Sequence, residues 1–251
     1  MNSLINPDEL GVLSVTGEDA ATFLQGQTTC DIYEVAEHKT QIGAFCNPKG
    51  KVIAVFVIVK TSEGFLIILP KSLLVTVQEL LQRYKLRSKV EFSEMENLPL
   101  TQFLKNTNVR TPWILPETSE QFIPQMLKLD QIGAVSFTKG CYTGQEIVTR
   151  THYLGEVKRQ LNLALCEPSA SGVLPTLAIF DENHEEVGSV LLAQIRGLPY
   201  KVRDKITGEV VETKTVNKMV VLCVINTEST ESTLHLGNAT QDNLKIIGGN
   251  K

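Results

Sequence analysis

Apolar and polar positions follow one another in an order that predicts most of the elements of this chain. Leu13-Ser14-Val15 reads as a short strand. Thr16, with Asp19 three residues on, has the spacing of a capping box and predicts a helix that carries Ala20, Ala21, Phe23 and Leu24 inward and stops at Gly26. The polar run from Gln27 to Asp31 predicts a loop or a new turn. Ile42 to Cys46 and Val52 to Val59 read as strands, joined by Asn47-Pro48-Lys49-Gly50, whose Pro and Gly both favour a turn. The second run is apolar at nearly every position, as in a strand covered on both faces. Phe65 to Leu69 predicts a further strand after a hairpin connection at 61–64. Leu73, Leu74, Val77, Leu80, Leu81 and Tyr84 then recur at helical spacing, and Val90 and Phe92 belong to a short strand beyond.

Residues 94–121 lose this regularity and hold Pro99, Pro112 and Pro116, which marks them as a boundary region. Phe122 to Ile132 is weakly helical, with Pro124 tolerable only in a first turn. Thr143 and Glu146 repeat the capping-box spacing and predict a helix from Gly144 toward Thr151, which sets Cys141 just before a helix N-terminus. After Lys158-Arg159 the pattern turns to strands at Leu161 to Cys166, Val187 to Gln194, Val210 to Thr215 and Met219 to Ile225. The pattern as a whole is α+β, with a separate β-rich C-terminal domain.

Composition narrows the function classes. The 251 residues are 42% hydrophobic, enough for a substantial core, and their formal charge of -4 gives no general attraction to nucleic acid or an anionic membrane. The cysteines at 30, 46, 141, 166 and 223 form no CxxC pair, which argues against a disulfide framework or zinc knuckle and favours a reducing compartment, with the cytoplasm as the default. No secretory signal is evident at the N-terminus, and the most apolar run, Val52 to Val59, is too short to cross a bilayer as a helix. The four histidines are isolated, so no permanently bound metal is expected, and no phosphate-loop or dinucleotide pattern is complete.

The stretch Lys139-Gly140-Cys141-Tyr142-Thr143-Gly144-Gln145-Glu146, followed by Ile147-Val148-Thr149-Arg150, resembles the signature of the YgfZ family, relatives of the aminomethyltransferase of the glycine cleavage system. Its lead-in (Phe122 to Gln125, Leu129 to Phe137) and its exit (His152 to Gly155, Lys158-Arg159) are similar to the family's. So are Val15 to Ala20, Phe23 to Asp31, Gly43 to Lys51 and Glu186 to Val190. The resemblance implies a three-domain ring like that of aminomethyltransferase: a discontinuous first domain at 1–50 plus 120–158, a ferredoxin-like insertion at 51–119 and a C-terminal β-barrel at 159–251. It implies a bound tetrahydrofolate or related reduced folate, a monomer, and an accessory role in the maturation or repair of iron–sulfur enzymes. The implied partners are those enzymes or cluster-assembly proteins, with an indirect effect on tRNA thiomethylation and no membrane.

Aminomethyltransferases carry an aspartate pair in the strand after the Asn47 region; here that strand has Ala54 and Val55. With no carboxylate to organise charge there, the resemblance implies a ligand site without independent turnover. A folate-dependent enzyme using Cys141 and a non-catalytic interaction protein are the alternatives.

Cys141 is the leading candidate for chemistry. A thiol near a helix start, with Lys139 two residues away, is placed for redox exchange, cluster contact or covalent work; the plainer reading is a small buried residue between Gly and Tyr. Lys139 offers a positive charge to a glutamyl carboxylate or phosphate, and Arg150 extends it, while Lys158 and Arg159 read as solvated surface. Gln145 and Glu146 match the donor and acceptor edge of a pterin, although Glu146 equally closes the Thr143 box. Tyr142 either covers an aromatic ligand or belongs to the core. Asn47 and Lys49 sit in a turn between two firm strands, a place from which polar groups can be aimed at a cavity, and Asp31 either faces the same cavity or ends a loop.

Overall fold

The computed structural model describes residues 3–105, 107–108, 110–168, 172–203, 210–237 and 241–247. The chain divides into two compact units, Met1–Leu161 and Asn162–Lys251.

The first unit is built on a five-stranded sheet. Its elements are β1 (Leu10–Thr16), α1 (Ala20–Gln25), β2 (Thr40–Cys46), β3 (Val52–Lys60), β4 (Gly64–Pro70), α2 (Leu74–Lys85) and β5 (Glu91–Met95), and the sheet order is β2-β3-β4-β1-β5. It therefore joins β1 and β2, from before residue 51, to β3, β4 and β5 from the stretch expected to form an insertion. Every residue from Val52 to Val59 is at most 4% exposed, which accounts for the unbroken apolar run: β3 is covered on both faces. Leu74, Val77 and Leu81 form the buried face of α2, and Gly11 of β1 leaves the space that the Leu74 side chain fills.

Two local expectations change in this unit. Thr16 ends β1 and forms no box with Asp19, whose carboxylate instead accepts the Lys89 amide at 2.8 Å. Residues 122–132 form successive turns rather than a helix, with Lys128 at φ +56, a conformation that a helix does not contain. This irregular stretch is nevertheless tied down: Val52 N donates to Phe122 O and Glu120 N to Val52 O, each at 2.8 Å, and Ser136 N to Thr29 O at 2.9 Å. The fully buried Trp113 anchors it further by donating from Nε1 to Ser3 Oγ at 2.9 Å.

Beyond it come α3 (Gln145–Leu154) and the second unit. There β6 (Arg159–Cys166), β7 (Ala178–Phe180), β8 (Glu186–Arg203), β9 (Val210–Asn226), β10 (Leu234–Leu236) and β11 (Asn243–Ile247) close a barrel in the order β10-β11-β6-β9-β8-β7. Its core includes Ile179, Val190, Val221, Cys223, Leu234 and Leu236. The two separate strands expected at 210–215 and 219–225 are one, because the polar residues between them stay paired with β8: Leu198 opposes Val216 and Arg196 opposes Lys218. The three-residue strands β7 and β10 are too short to leave a periodic signal.

Candidate functional site

The Lys139 to Glu146 stretch sits against the β2–β3 turn, and two glycines make that contact possible. Asn47 shapes the turn: its Oδ1 accepts the amides of Lys49 and Lys51, both at 3.0 Å, while its Nδ2 donates to Glu120 Oε2 at 2.7 Å. Gly144, at φ +85, is the N-cap of α3, and a methyl group on it would lie 2.5 Å from Asn47 O. Gly50, at φ +70, faces it, and a methyl there would lie 2.9 Å from the Ile147 Cβ. Turn and helix start thus meet backbone to backbone, which side chains at either position would prevent.

The rest of the stretch is pinned along its length. Lys139 is only 8% exposed and donates from Nζ to Thr28 O at 2.7 Å and to Cys30 O at 2.8 Å, with the ammonium 5.1 Å from the Tyr142 ring centroid. Burial lowers its pKa from 10.5 to about 8, against the opposing influence of Cys30 and Asp31. Thr143 N donates to Gly26 O at 3.2 Å, and its hydroxyl donates to Gln27 Oε1 at 3.4 Å. The Thr143–Glu146 box does not form: the positive-φ Gly144 moves the N-cap one residue along, Glu146 stands exposed, and Gln145 Oε1 accepts Tyr142 N at 3.3 Å.

Between these anchors Cys141 is exposed, and the position of a Cβ on neighbouring Gly140 has no other atom within 4 Å. The small-buried reading of this cysteine is therefore set aside. Tyr142, by contrast, is 6% exposed, and its hydroxyl is buried without a protein hydrogen-bond partner; burial, then the neighbouring Cys46, drives its pKa upward. Gln125 presents a second such atom: its Nε2 donates to Val148 O at 2.6 Å, leaving Oε1 buried and unpartnered.

The structure brings Asn47, Cys141, Tyr142, Gln145 and Glu146 to this junction. Lys49 is exposed on the turn, and Arg150 is exposed farther along α3. Asp31 caps a short 3-10 turn, accepting Gln25 Nε2 and Tyr33 N at 3.0 Å each. Glu120, Gln125 and Gln27 hold the junction together but leave no mark of their own in the sequence, beyond the likeness of the Phe122 to Gln125 lead-in.

The sequence is similar to those of curated proteins. The "tRNA-modifying protein YgfZ" of Colwellia psychrerythraea is 28% identical over 75% of this chain and 80% of its own length, and that of Aliivibrio fischeri is 25% identical over 74% and 79%. An uncharacterized protein of Haemophilus influenzae is 32% identical over 64% of this chain and 72% of its own length. The chain belongs to the YgfZ family.

No family model matches it. The fold of this YgfZ-family chain is that of a solved structure, the glycine cleavage system aminomethyltransferase T of Bartonella henselae, with a TM-score of 0.66 over 96% of this chain and 83% of the other at 9% identity. It is α+β with a closed six-stranded C-terminal barrel. Among the described residues no group of three His, Cys, Asp or Glu side chains is placed to hold a metal ion, and no helix is long and apolar enough to cross a membrane.

Proposed function

We propose that this chain is a folate-binding accessory protein for the maturation or repair of iron–sulfur enzymes, and that it supports tRNA thiomethylation indirectly. The observation that carries the reading is the exposed Cys141, held on a segment fixed at both ends in a chain of the YgfZ family. Tyr142, Gln145, Glu146, Lys49 and Arg150 are the folate contacts of this reading, with Lys139, Asn47 and Asp31 positioning them.

The same reading excludes aminomethyl transfer of the usual kind. At Ala54 and Val55 of β3 both side chains are fully buried and neither has an ionisable group, so nothing there holds a charge beside a reacting folate nitrogen. We assign the ferredoxin-like element to the path β1–α1–β3–β4–α2–β5, with β2 added at the β3 edge; its support is the antiparallel order β3-β4-β1-β5.

Two measurements test the reading. Calorimetric titration of the purified chain with a stable reduced folate is expected to give saturable binding with no folate product; absence of binding sinks the folate role, and product formation makes the chain an enzyme. In a bacterium lacking its own YgfZ, mass spectrometry of thiomethylated tRNA is expected to recover with this chain and not with Cys141→Ala. Recovery with both removes the thiol from the mechanism, and recovery with neither, despite soluble expression, removes the accessory role.

A further inference from the structure

An open groove of about 890 Å³ lies between α1 and the end of α2. Its walls include Asp19, Phe23, Gly26 and Gln27 on one side and Tyr84 and Leu86 on the other. A groove of this size takes several side chains of a partner rather than a single ion. Gly26 and Gln27 are also the residues that hold Thr143: Gly26 O accepts its amide at 3.2 Å, and Gln27 Oε1 accepts its hydroxyl at 3.4 Å. The groove therefore abuts the span that carries Cys141, two residues before Thr143.

Leu86 follows the last residue of α2 at φ +43 and ψ -106, and Ser88 N donates to Lys85 O at 2.8 Å. These are the angles and the hydrogen bond of a type II′ turn, whose first central position favours glycine. The leucine there is 89% exposed, so the free chain gains no burial to offset the strained backbone. Tyr84 adds a partly exposed ring on the same wall. A strained turn that displays an aliphatic side chain to water becomes favourable when a partner buries that side chain.

The turn is also basic. Arg83, Lys85, Arg87 and Lys89 stand at alternate positions with no acidic residue between them, in a chain whose formal charge is -4. Arg83 pairs with Glu79 at 3.9 Å and Lys89 with Glu18 at 2.7 Å, whereas the side chains of Lys85 and Arg87 belong to no ion pair among the described residues. Asp19, the acid in the groove wall, already accepts the Lys89 amide at 2.8 Å. This excess of positive charge selects an acidic partner. The most exposed apolar group is aliphatic, which buries against another side chain and does not stack on a base, so the surface fits a protein segment better than RNA.

We propose that this groove docks an acidic segment of a partner protein, with Leu86 and Tyr84 packing on its apolar side chains and Lys85 and Arg87 meeting its carboxylates. The inference rests on the accessory reading only in taking that partner to be the protein served at Cys141.

The first experiment is titration of the full chain, followed by fluorescence anisotropy, with a labelled short peptide of leucine and glutamate, with its lysine counterpart and with a short single-stranded RNA. Saturable binding of the acidic peptide with a Kd below about 100 μM is expected, weakened roughly tenfold or more by Leu86→Gly and by Arg87→Glu. Glycine suits the turn, so Leu86→Gly is expected to unfold thermally within a few degrees of the native chain. No binding, equal binding of the lysine peptide, preference for the RNA, or binding unchanged in both variants overturns the docking surface. Self-association of the native chain that Leu86→Gly abolishes assigns the groove to a second copy and overturns the partner. In the bacterium lacking its own YgfZ, thiomethylated tRNA is expected to recover with the native chain and to fall several-fold with either variant. Full recovery with both variants, when both have lost the peptide, overturns the link to Cys141 and leaves the surface standing. Failure of the native chain itself counts against the accessory reading, and the peptide titration then decides the surface alone.

Discussion

Lys139 gives up its proton at about 8 instead of 10.5, because burial removes water from an ammonium that two backbone carbonyls only partly replace. Unfolded chains keep that proton up to about 10.5, so between these values unfolding takes up a proton, and the stability from this group rises with pH. It is lost as pH falls through about 8 and fully present above 10.5. Lys139→Met removes both donors and leaves Thr28 O without that partner, while Cys30 O still accepts the Thr28 hydroxyl at 3.2 Å. Urea unfolding at neutral pH should show a loss of roughly 1.5–3 kcal/mol. The deficit should widen across the window from about 8 to 10.5, and a constant deficit would mean that the buried ammonium does not titrate there.

At the level of elements, the contact between the β2–β3 turn and α3 rests on Gly50 and Gly144. Gly144→Ala combines a positive φ of +85 with a methyl 2.5 Å from Asn47 O, so a loss of about 2–4 kcal/mol is expected. Gly140→Ala, four residues earlier in open space, should stay within about 0.5 kcal/mol. Thermal unfolding of the pair separates a seated glycine from one that is merely present, and equal shifts would refute the seating. These positions also mark how far the sequence could be read. Val52 to Val59 announced a strand because apolar runs survive burial on two faces, and the helical spacing from Leu73 to Tyr84 was equally legible. The start of α3 was misplaced because Thr143 and Glu146 have capping spacing, whereas the backbone angle at Gly144, set by a turn almost a hundred residues earlier, decides the cap. Lys139 read as a free charge for the same reason: its partners, Thr28 and Cys30, are 111 and 109 residues away and nothing nearby points to them.

Across the whole molecule, a fold shared with an aminomethyltransferase at 9% identity means that the same architecture is reached with mostly different side chains. The barrel unit has a core of its own, so Leu236→Ala, at a fully buried position, should destabilise it by about 2–5 kcal/mol. Hydrogen exchange should quicken in β6, β8 and β9 and stay unchanged in β1, β3 and β4; quickening everywhere would show that the two units unfold as one. The distribution of thiols has a consequence at this scale as well. Cys141 is exposed on a span pinned on both sides, and Cys30, Cys46, Cys166 and Cys223 are all buried. A sulfur so placed can be approached from solvent, whereas the other four thiols of the chain are shielded from it. A mixed disulfide formed at Cys141 therefore finds no exposed thiol of its own chain to resolve it, and its release depends on a reductant or on the partner that formed it.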